Sequence, residues 1–282
     1  MQSVLWMIGA IASFSLMAVG ARELSAHLDT FEVLTLRSLI GLIIVMAIIY
    51  WRGQPELFVT QRTHAHLGRN LFHFYGQASW FFAIGMIPLA QVFALEFTVP
   101  IWVLVIAAVF LAEPITLRKL VAVGLGMAGV LLIVRPGAGT LSTGMLVMLF
   151  GAIGFAVAIV FNKKLVSTEH PLTIVFYMSL MQLPINAILT GGDWTMPEDW
   201  MWVWLLVIGG AGISAHFCAS KAMQTVEVSS IMAMDFLRLP VIALVGMLLY
   251  GELFDWWVIV GGGLMIIGNM IGQGLWRKHN LI

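Results

Sequence analysis

The sequence predicts an all-α integral membrane fold: ten transmembrane helices in two inverted five-helix repeats. Three observations carry this prediction. Of the 282 residues, 61% are hydrophobic and only 10% are charged. A soluble domain carries roughly 25% charged residues, so too few remain here to coat a water-facing surface, and lipid must be the main solvent. Next, ten apolar stretches of spanning length follow one another with short connections, each near the roughly 20 residues a membrane helix needs. Finally, one apolar phrase occurs twice, as Pro100, Glu113, Gly124, Gly129 and again as Pro240, Glu252, Gly263, Gly268. Proline to glutamate is 13 positions in one copy and 12 in the other; the later spacings, 11 and 5, are identical.

The ten stretches run 4–21, 31–51, 68–87, 90–112, 116–134, 142–163, 172–190, 201–223, 228–249 and 255–276. Ala18-Val19-Gly20-Ala21 resembles a signal-peptide cleavage site, but the leader Met1-Gln2-Ser3 lacks the expected positive charge, so 4–21 reads as helix 1. The second stretch carries Arg37 in its interior and is followed by the longest polar connection, 52–67. Helix 3 carries His73, Gln77 and Trp80 at i, i+4 and i+7, which share one helix face. Helix 4 contains Glu96, Pro100 and Trp102. In helix 5, residues 124–129 literally match Gly-x-Gly-x-x-Gly. A dinucleotide site would need a preceding strand in a βαβ unit, so the run reads as a small-residue packing face. Helix 6 opens the second half, its Gly151-Ala152-Ile153 matching Gly9-Ala10-Ile11 of helix 1. Helix 7 bears Gln182, Pro184 and Asn186; helix 8 bears His216 and the single cysteine, Cys218, which excludes an intramolecular disulfide. Asp235, Arg238 and Pro240 fall in helix 9, and Gly268-x-x-x-Gly272 in helix 10. These bounds place the repeats at 1–138 and 139–282.

Basic residues set the orientation. With the N-terminus in the cytoplasm, Arg52, Arg62, Arg69, Arg118, Lys119, Lys163, Lys164, Lys221, Arg277 and Lys278 fall inside, and only Arg22 and Arg135 fall outside. Both termini are therefore expected in the cytoplasm. Asp193, Glu198 and Asp199 then face outward beside an interfacial belt of Trp194, Trp200, Trp202 and Trp204. Five helices per repeat is an odd number, so the second half enters the membrane upside down relative to the first. Charge bias and repeat agree without sharing evidence.

The duplicated marks, extended by Ala83, Pro88 and Ala90 in the first half and by Ala222 and Ser230 in the second, resemble the drug/metabolite transporter superfamily, specifically its EamA-type members. The resemblance covers essentially the whole chain. It departs at Val228, where the first half has Pro88, and at Lys221, where it has Phe81. It implies an inner-membrane, multi-pass carrier with a central cavity lined by both halves and working by alternating access. It does not imply which small molecule is carried.

Charges inside a membrane need a partner or a wet cavity, since each costs about 2.5–3.5 kcal/mol on insertion scales. Arg37, Glu96, Asp235 and Arg238 are two positives and two negatives, so mutual pairing is feasible. Asp235 and Arg238 are three apart on one helix face, and Pro100 aligned on Pro240 sets Glu96 opposite Phe236. Glu96 and Asp235 read as substrate-binding or proton-coupling groups with Arg238 as partner, or else as a salt bridge locking the halves. Arg37 either serves the site or snorkels to the outer face. His73, Gln77 and Trp80 line a polar cavity or form interhelical hydrogen bonds. His216 is a deep histidine able to titrate near neutrality. Trp102 walls the cavity or packs. Asn162, Gln182, Asn186 and Asn269 read as helix–helix glue, and Glu113 and Glu252 as structural carboxylates near helix N-termini.

The remaining classes are weaker. Zero net charge, with 14 basic and 14 acidic residues, speaks against nucleic acid. No His-x-x-x-His pair suggests a metal, and no cofactor motif is present. An intramembrane enzyme would need a His-Glu-x-x-His pair, a Gly-x-Ser-x-Gly elbow or paired catalytic aspartates, and none occurs. A channel or scaffold is the other alternative; the repeat and buried acids favour a carrier. The expected partners are a small-molecule substrate, lipid and, if coupled, protons. Balanced buried charge suits an amino acid or similar zwitterion, and the His73/Gln77/Trp80 face a flat vitamin.

Overall fold

The computed structural model describes residues 2–110, 116–134, 141–192, 194–225, 235, 238–253 and 255–272. Glu113, Arg135, Asp193, Val228, Ser230, Arg277 and Lys278 lie outside the described residues, as do the side chains of Lys119, Pro240 and Asn269. The described chain is all-helical: α1 Gln2–Leu24, α2 Thr30–Trp51, a short 3-10 turn Pro55–Phe58, α3 Thr63–Met86, α4 Leu89–Glu96, α5 Val99–Phe110, α6 Leu117–Val134, α7 Thr143–Leu165, α8 Pro171–Thr190, α9 Asp199–Met223, α10 Arg238–Tyr250 and α11 Trp256–Gly272. Five of these (α1, α2, α7, α8 and α9) are long and apolar enough to cross a membrane. Parts of α4–α5, α6, α10 and α11 are shorter apolar helices. Side chains such as Ile8, Ile43, Phe150, Val203 and Leu248 are exposed on the outer surface, where hydrocarbon rather than water suits them.

Local chemistry explains where helices begin. Asp29 accepts from the Phe31 N–H while Glu32 reaches back to the Asp29 N–H, so α2 opens on a reciprocal cap that satisfies two otherwise orphan donors. Ser142 accepts from the Met145 N–H at the start of α7.

The sequence predicts one continuous helix over 90–112; the structure breaks it at Phe97–Thr98, between α4 and α5. Pro100 is the cause. Its nitrogen carries no hydrogen, so the Glu96 carbonyl loses its i+4 donor. The turn is closed instead by Thr98, whose backbone N–H and hydroxyl both donate to the Leu95 carbonyl, at 3.1 and 2.8 Å. Non-helical backbone at membrane depth is tolerated where it borders a cavity. Glu96 therefore sits on the last residue before a helix break.

The most extensive packing joins α3 to α7, α1 to α9, α6 to α11 and α2 to α8. Lesser contacts join α2 to α9, α3 to α8, α5 to α7, α1 to α10 and α4 to α10. Glycines let the closest of these form. A Cβ on Gly154 would lie 2.8 Å from the Phe72 carbonyl of α3, and one on Gly76 would lie 3.0 Å from the Gly151 carbonyl of α7. On α6, a Cβ at Gly129 would lie 2.5 Å from the Gly261 carbonyl, and one at Gly268 of α11 would lie 2.9 Å from the Ala122 carbonyl. Gly124 and Gly263 meet nothing within 4 Å among the described residues. The packing face expected over 124–129 is thus narrower, because 3.6-residue periodicity turns Gly124 away while Gly129 faces α11.

Glu252 caps a helix, though not the one following it in sequence. Its carboxylate accepts from the Leu89 N–H at 2.9 Å, at the first turn of α4, and from Arg22 Nη2 at 3.4 Å. Arg22 also donates to the Ile87 carbonyl at 2.5 Å. One carboxylate thereby ties the ends of α1, α4 and α10 together, which agrees with its structural reading.

Candidate functional site

A cavity of about 120 Å³ lies at the centre, with room for several waters or the head of a small ligand. Its walls come from α1, α2, α3, the α4–α5 break, α7, α9, Asp235 and α10, so both halves of the chain contribute.

One pole is built around Arg238, only 2% exposed. Its Nη2 donates at 2.7 Å to both Glu96 Oε1 and Asp235 Oδ2. The Trp80 indole N–H donates to the other Glu96 oxygen at 2.8 Å. Phe14 and Phe93 sandwich the guanidinium, their ring centroids 4.9 and 4.8 Å from its central carbon. Such faces attract a cation and help exclude water from the ion pairs. Helical spacing sets Asp235 and Arg238 side by side, and the Pro100 break sets Glu96 across from them. The pairing expected among Glu96, Asp235 and Arg238 is present.

The α2–α3 wall carries Arg37 and Arg69, 4% and 3% exposed. Arg37 Nη1 donates to Gln77 Oε1, and its guanidinium lies 5.8 Å from the Phe81 ring centroid. Arg69 Nη1 donates to Asn70 Oδ1 at 2.7 Å. Among the described residues, no carboxylate lies within ion-pair distance of either arginine. Gly212 of α9 leaves room for Arg37, since a Cβ there would sit 2.7 Å from Nη2. Snorkelling is thus corrected: Arg37 turns inward because Gln77 and the cavity offer it polar company. Arg69, expected at the cytoplasmic edge, is likewise an interior residue.

Two histidines line the same cavity. Gln182 Nε2 lies 2.9 Å from His73 Nδ1. An amide nitrogen only donates, so Nδ1 accepts and a neutral His73 ring carries its proton on Nε2. His73 and His216 meet edge to face with centroids 4.6 Å apart. Phe155 flanks His73 at 5.7 Å and Phe14 flanks His216 at 5.3 Å.

Of the sequence-predicted residues, Glu96, Asp235, Arg238, His73, Gln77, Trp80, Arg37 and His216 all line this cavity. Trp102 is not among the lining residues; it packs against Val99, Ala152 and Ala156, because α5 turns it toward α7 after the break. Arg69, Phe14, Asn162 and Ser220 line it without having been singled out as site residues. Arg69 was within reach, since 69, 73, 77 and 80 continue one helical face by another turn. Asn162 bridges α7 to Ser220 of α9 at 3.3 Å, and Asn186 bridges α8 to Ser38 of α2 at 3.2 Å, both as interhelical glue. Among the described residues no group of three or more His, Cys, Asp or Glu could hold a metal.

Comparison with known proteins agrees with this architecture. A solved crystal structure with 16% sequence identity superposes with a TM-score of 0.72, covering 99% of this chain and 98% of the other, which establishes the fold. An S-adenosylmethionine uptake transporter of Rickettsia felis is 24% identical, over 97% of this chain and 95% of its own. A riboflavin transporter of Vibrio cholerae is 28% identical, over 89% and 86% respectively. The EamA-like transporter family matches residues 1–135 and 142–271. This chain, an integral membrane protein, belongs to the EamA-like transporter family of the drug/metabolite transporter superfamily.

Proposed function

We propose that this protein is a secondary transporter of a small organic metabolite, working by alternating access across the cytoplasmic (inner) membrane. Its ten spans form two inverted repeats, 1–138 and 139–282, with α4 and α5 as one broken span and both termini in the cytoplasm. The observation that carries this reading is the cavity: it lies between the halves and holds, besides a paired triad, two buried arginines with no carboxylate partner among the described residues, a charge that a wet, ligand-binding space tolerates. Exchange symmetry supports the repeat. Swapping the first five spans for the last five turns the α1–α9 contact into α7–α3, α2–α9 into α8–α3, and α5–α7 into α10–α1, each a contact that is present. Gly129 and Gly268 likewise press on each other's helices, while Gly124 and Gly263 meet nothing among the described residues. Inverted repeats meeting at a midplane site are how many carriers alternate.

An amino acid or similar zwitterion fits best, since the cavity offers two carboxylates that share one guanidinium and two further guanidiniums without a carboxylate partner among the described residues. S-adenosylmethionine, carried by a relative, has an amino-acid head of this kind. A flat vitamin is the second reading: aromatic and histidine rings lining the cavity would stack it, and another relative is named for riboflavin. Proton coupling would run through Glu96 and Asp235, two acids that share the single positive charge of Arg238. Protonating one acid frees Arg238 for the other.

Uptake into proteoliposomes against pH tests the coupling. Glu96→Gln and Asp235→Asn each remove a charge-assisted hydrogen bond of about 1.5–3 kcal/mol, so uptake should fall roughly tenfold or more with a flattened pH profile. Normal uptake and an unchanged profile in both variants would end the coupling reading.

A further inference from the structure

Resting on the transporter reading, we propose that the α2–α3 wall of the cavity is a carboxylate-binding subsite, so that the substrates of this protein bear a free carboxylate and dock it between Arg37 and Arg69. Four groups on this wall line the cavity, each at most 4% exposed: Arg37, Arg69, His73 and Gln77. Four of their nitrogens are buried with no hydrogen-bond partner among the described residues: Arg37 Nε, Arg69 Nε, His73 Nε2 and Gln77 Nε2. The amide and both guanidinium nitrogens can only donate, and His73 Nε2 donates in the tautomer that Gln182 enforces. A wall of donors with no acceptor is complementary to an oxyanion.

Charge selects the oxyanion further. Three guanidiniums against two carboxylates leave the cavity with one uncompensated positive charge among the described residues. Water can satisfy idle donors, but it cannot neutralise a buried charge. One carboxylate does both, and guanidinium–carboxylate contacts are among the strongest hydrogen bonds available to a protein. A phosphate monoester, at about −1.5 to −2 near neutrality, would overshoot. The Arg238 pole already holds its two acids, so it does not compete for the anion.

The full-length purified protein is tested by thermal shift against matched pairs: amino acids and S-adenosylmethionine, each beside its methyl ester or decarboxylated analogue. Acids should stabilise the protein and their partners should not. In Arg69→Gln and in Arg37→Gln, affinity for the acids should drop about tenfold or more. Because each variant removes one of two buried like charges, the ligand-free protein should melt at the same temperature as wild type or higher. Trp102→Phe, outside the cavity, should bind as wild type does. Equal stabilisation by esters, by chloride alone or by phosphorylated compounds overturns the subsite, as does retained acid binding in the double variant or the failure of every acid to bind. Binding without uptake would count against the transporter reading and leave the subsite standing.

Discussion

Arg238→Met is expected to be the most damaging single change to the stability of this protein. The substitution preserves length and apolar packing between Phe14 and Phe93 but strands Glu96 and Asp235 without their shared cation. Breaking a buried pair by removing one partner costs about 3–5 kcal/mol, because the remaining charge is left uncompensated. Here two remain. Expression in membranes should collapse, and what survives in detergent should melt well below wild type. The account makes a second demand: combining Arg238→Met with Glu96→Gln and Asp235→Asn removes all three charges and should restore most of the lost stability, though not transport. If Arg238→Met alone melts like wild type, the triad is not the buried structure described.

Gly154→Leu should rank next. The α3–α7 crossing is among the most extensive between the described helices, and a Cβ at 154 would already lie 2.8 Å from the Phe72 carbonyl and 3.0 Å from the Gly76 nitrogen. Both obstacles are backbone, so neither can swing aside. Overpacking costs about 1–3 kcal/mol where side chains can adjust, and the upper end or beyond is expected where they cannot. Since α3 carries His73, Gln77 and Trp80, pushing it outward should also widen the cavity and depress uptake. Gly124→Leu is the control: that glycine meets nothing within 4 Å among the described residues, so its thermal stability and uptake should match wild type. A Gly154→Leu protein with unchanged melting and uptake would show that the helices do not cross this closely.

How far the sequence reached has physical reasons. Spans were legible because a bilayer demands long apolar runs with their hydrogen bonds satisfied internally. Glu96, Asp235, Arg238 and Arg37 were legible because charge in such runs is costly and rare. The break after Glu96 was not, since Pro100 sits in an unbroken apolar stretch; its signature was the proline itself, four residues beyond the carbonyl it deprives. Arg69 was absorbed by the orientation rule, which treats a cation near a helix end as a surface anchor. Its phase with His73, Gln77 and Trp80 carried the contrary information. The edge-to-face meeting of His73 and His216 joins α3 to α9, a tertiary event that no local spacing encodes. Of the two readings of Trp102, packing is the one present, because a helix interrupted at Thr98 changes the direction of everything after it.

The central claim is that one cavity between the two halves opens to either side in turn. Counterflow in proteoliposomes tests it most directly. Vesicles containing the purified protein and preloaded with unlabelled substrate, found through the thermal-shift panel, should transiently accumulate labelled substrate above its equilibrium level, saturably. Arg238→Met combined with the two neutral acids should abolish that overshoot in correctly folded protein. Flux that rises linearly with concentration and never overshoots would mean a channel, and would contradict alternating access.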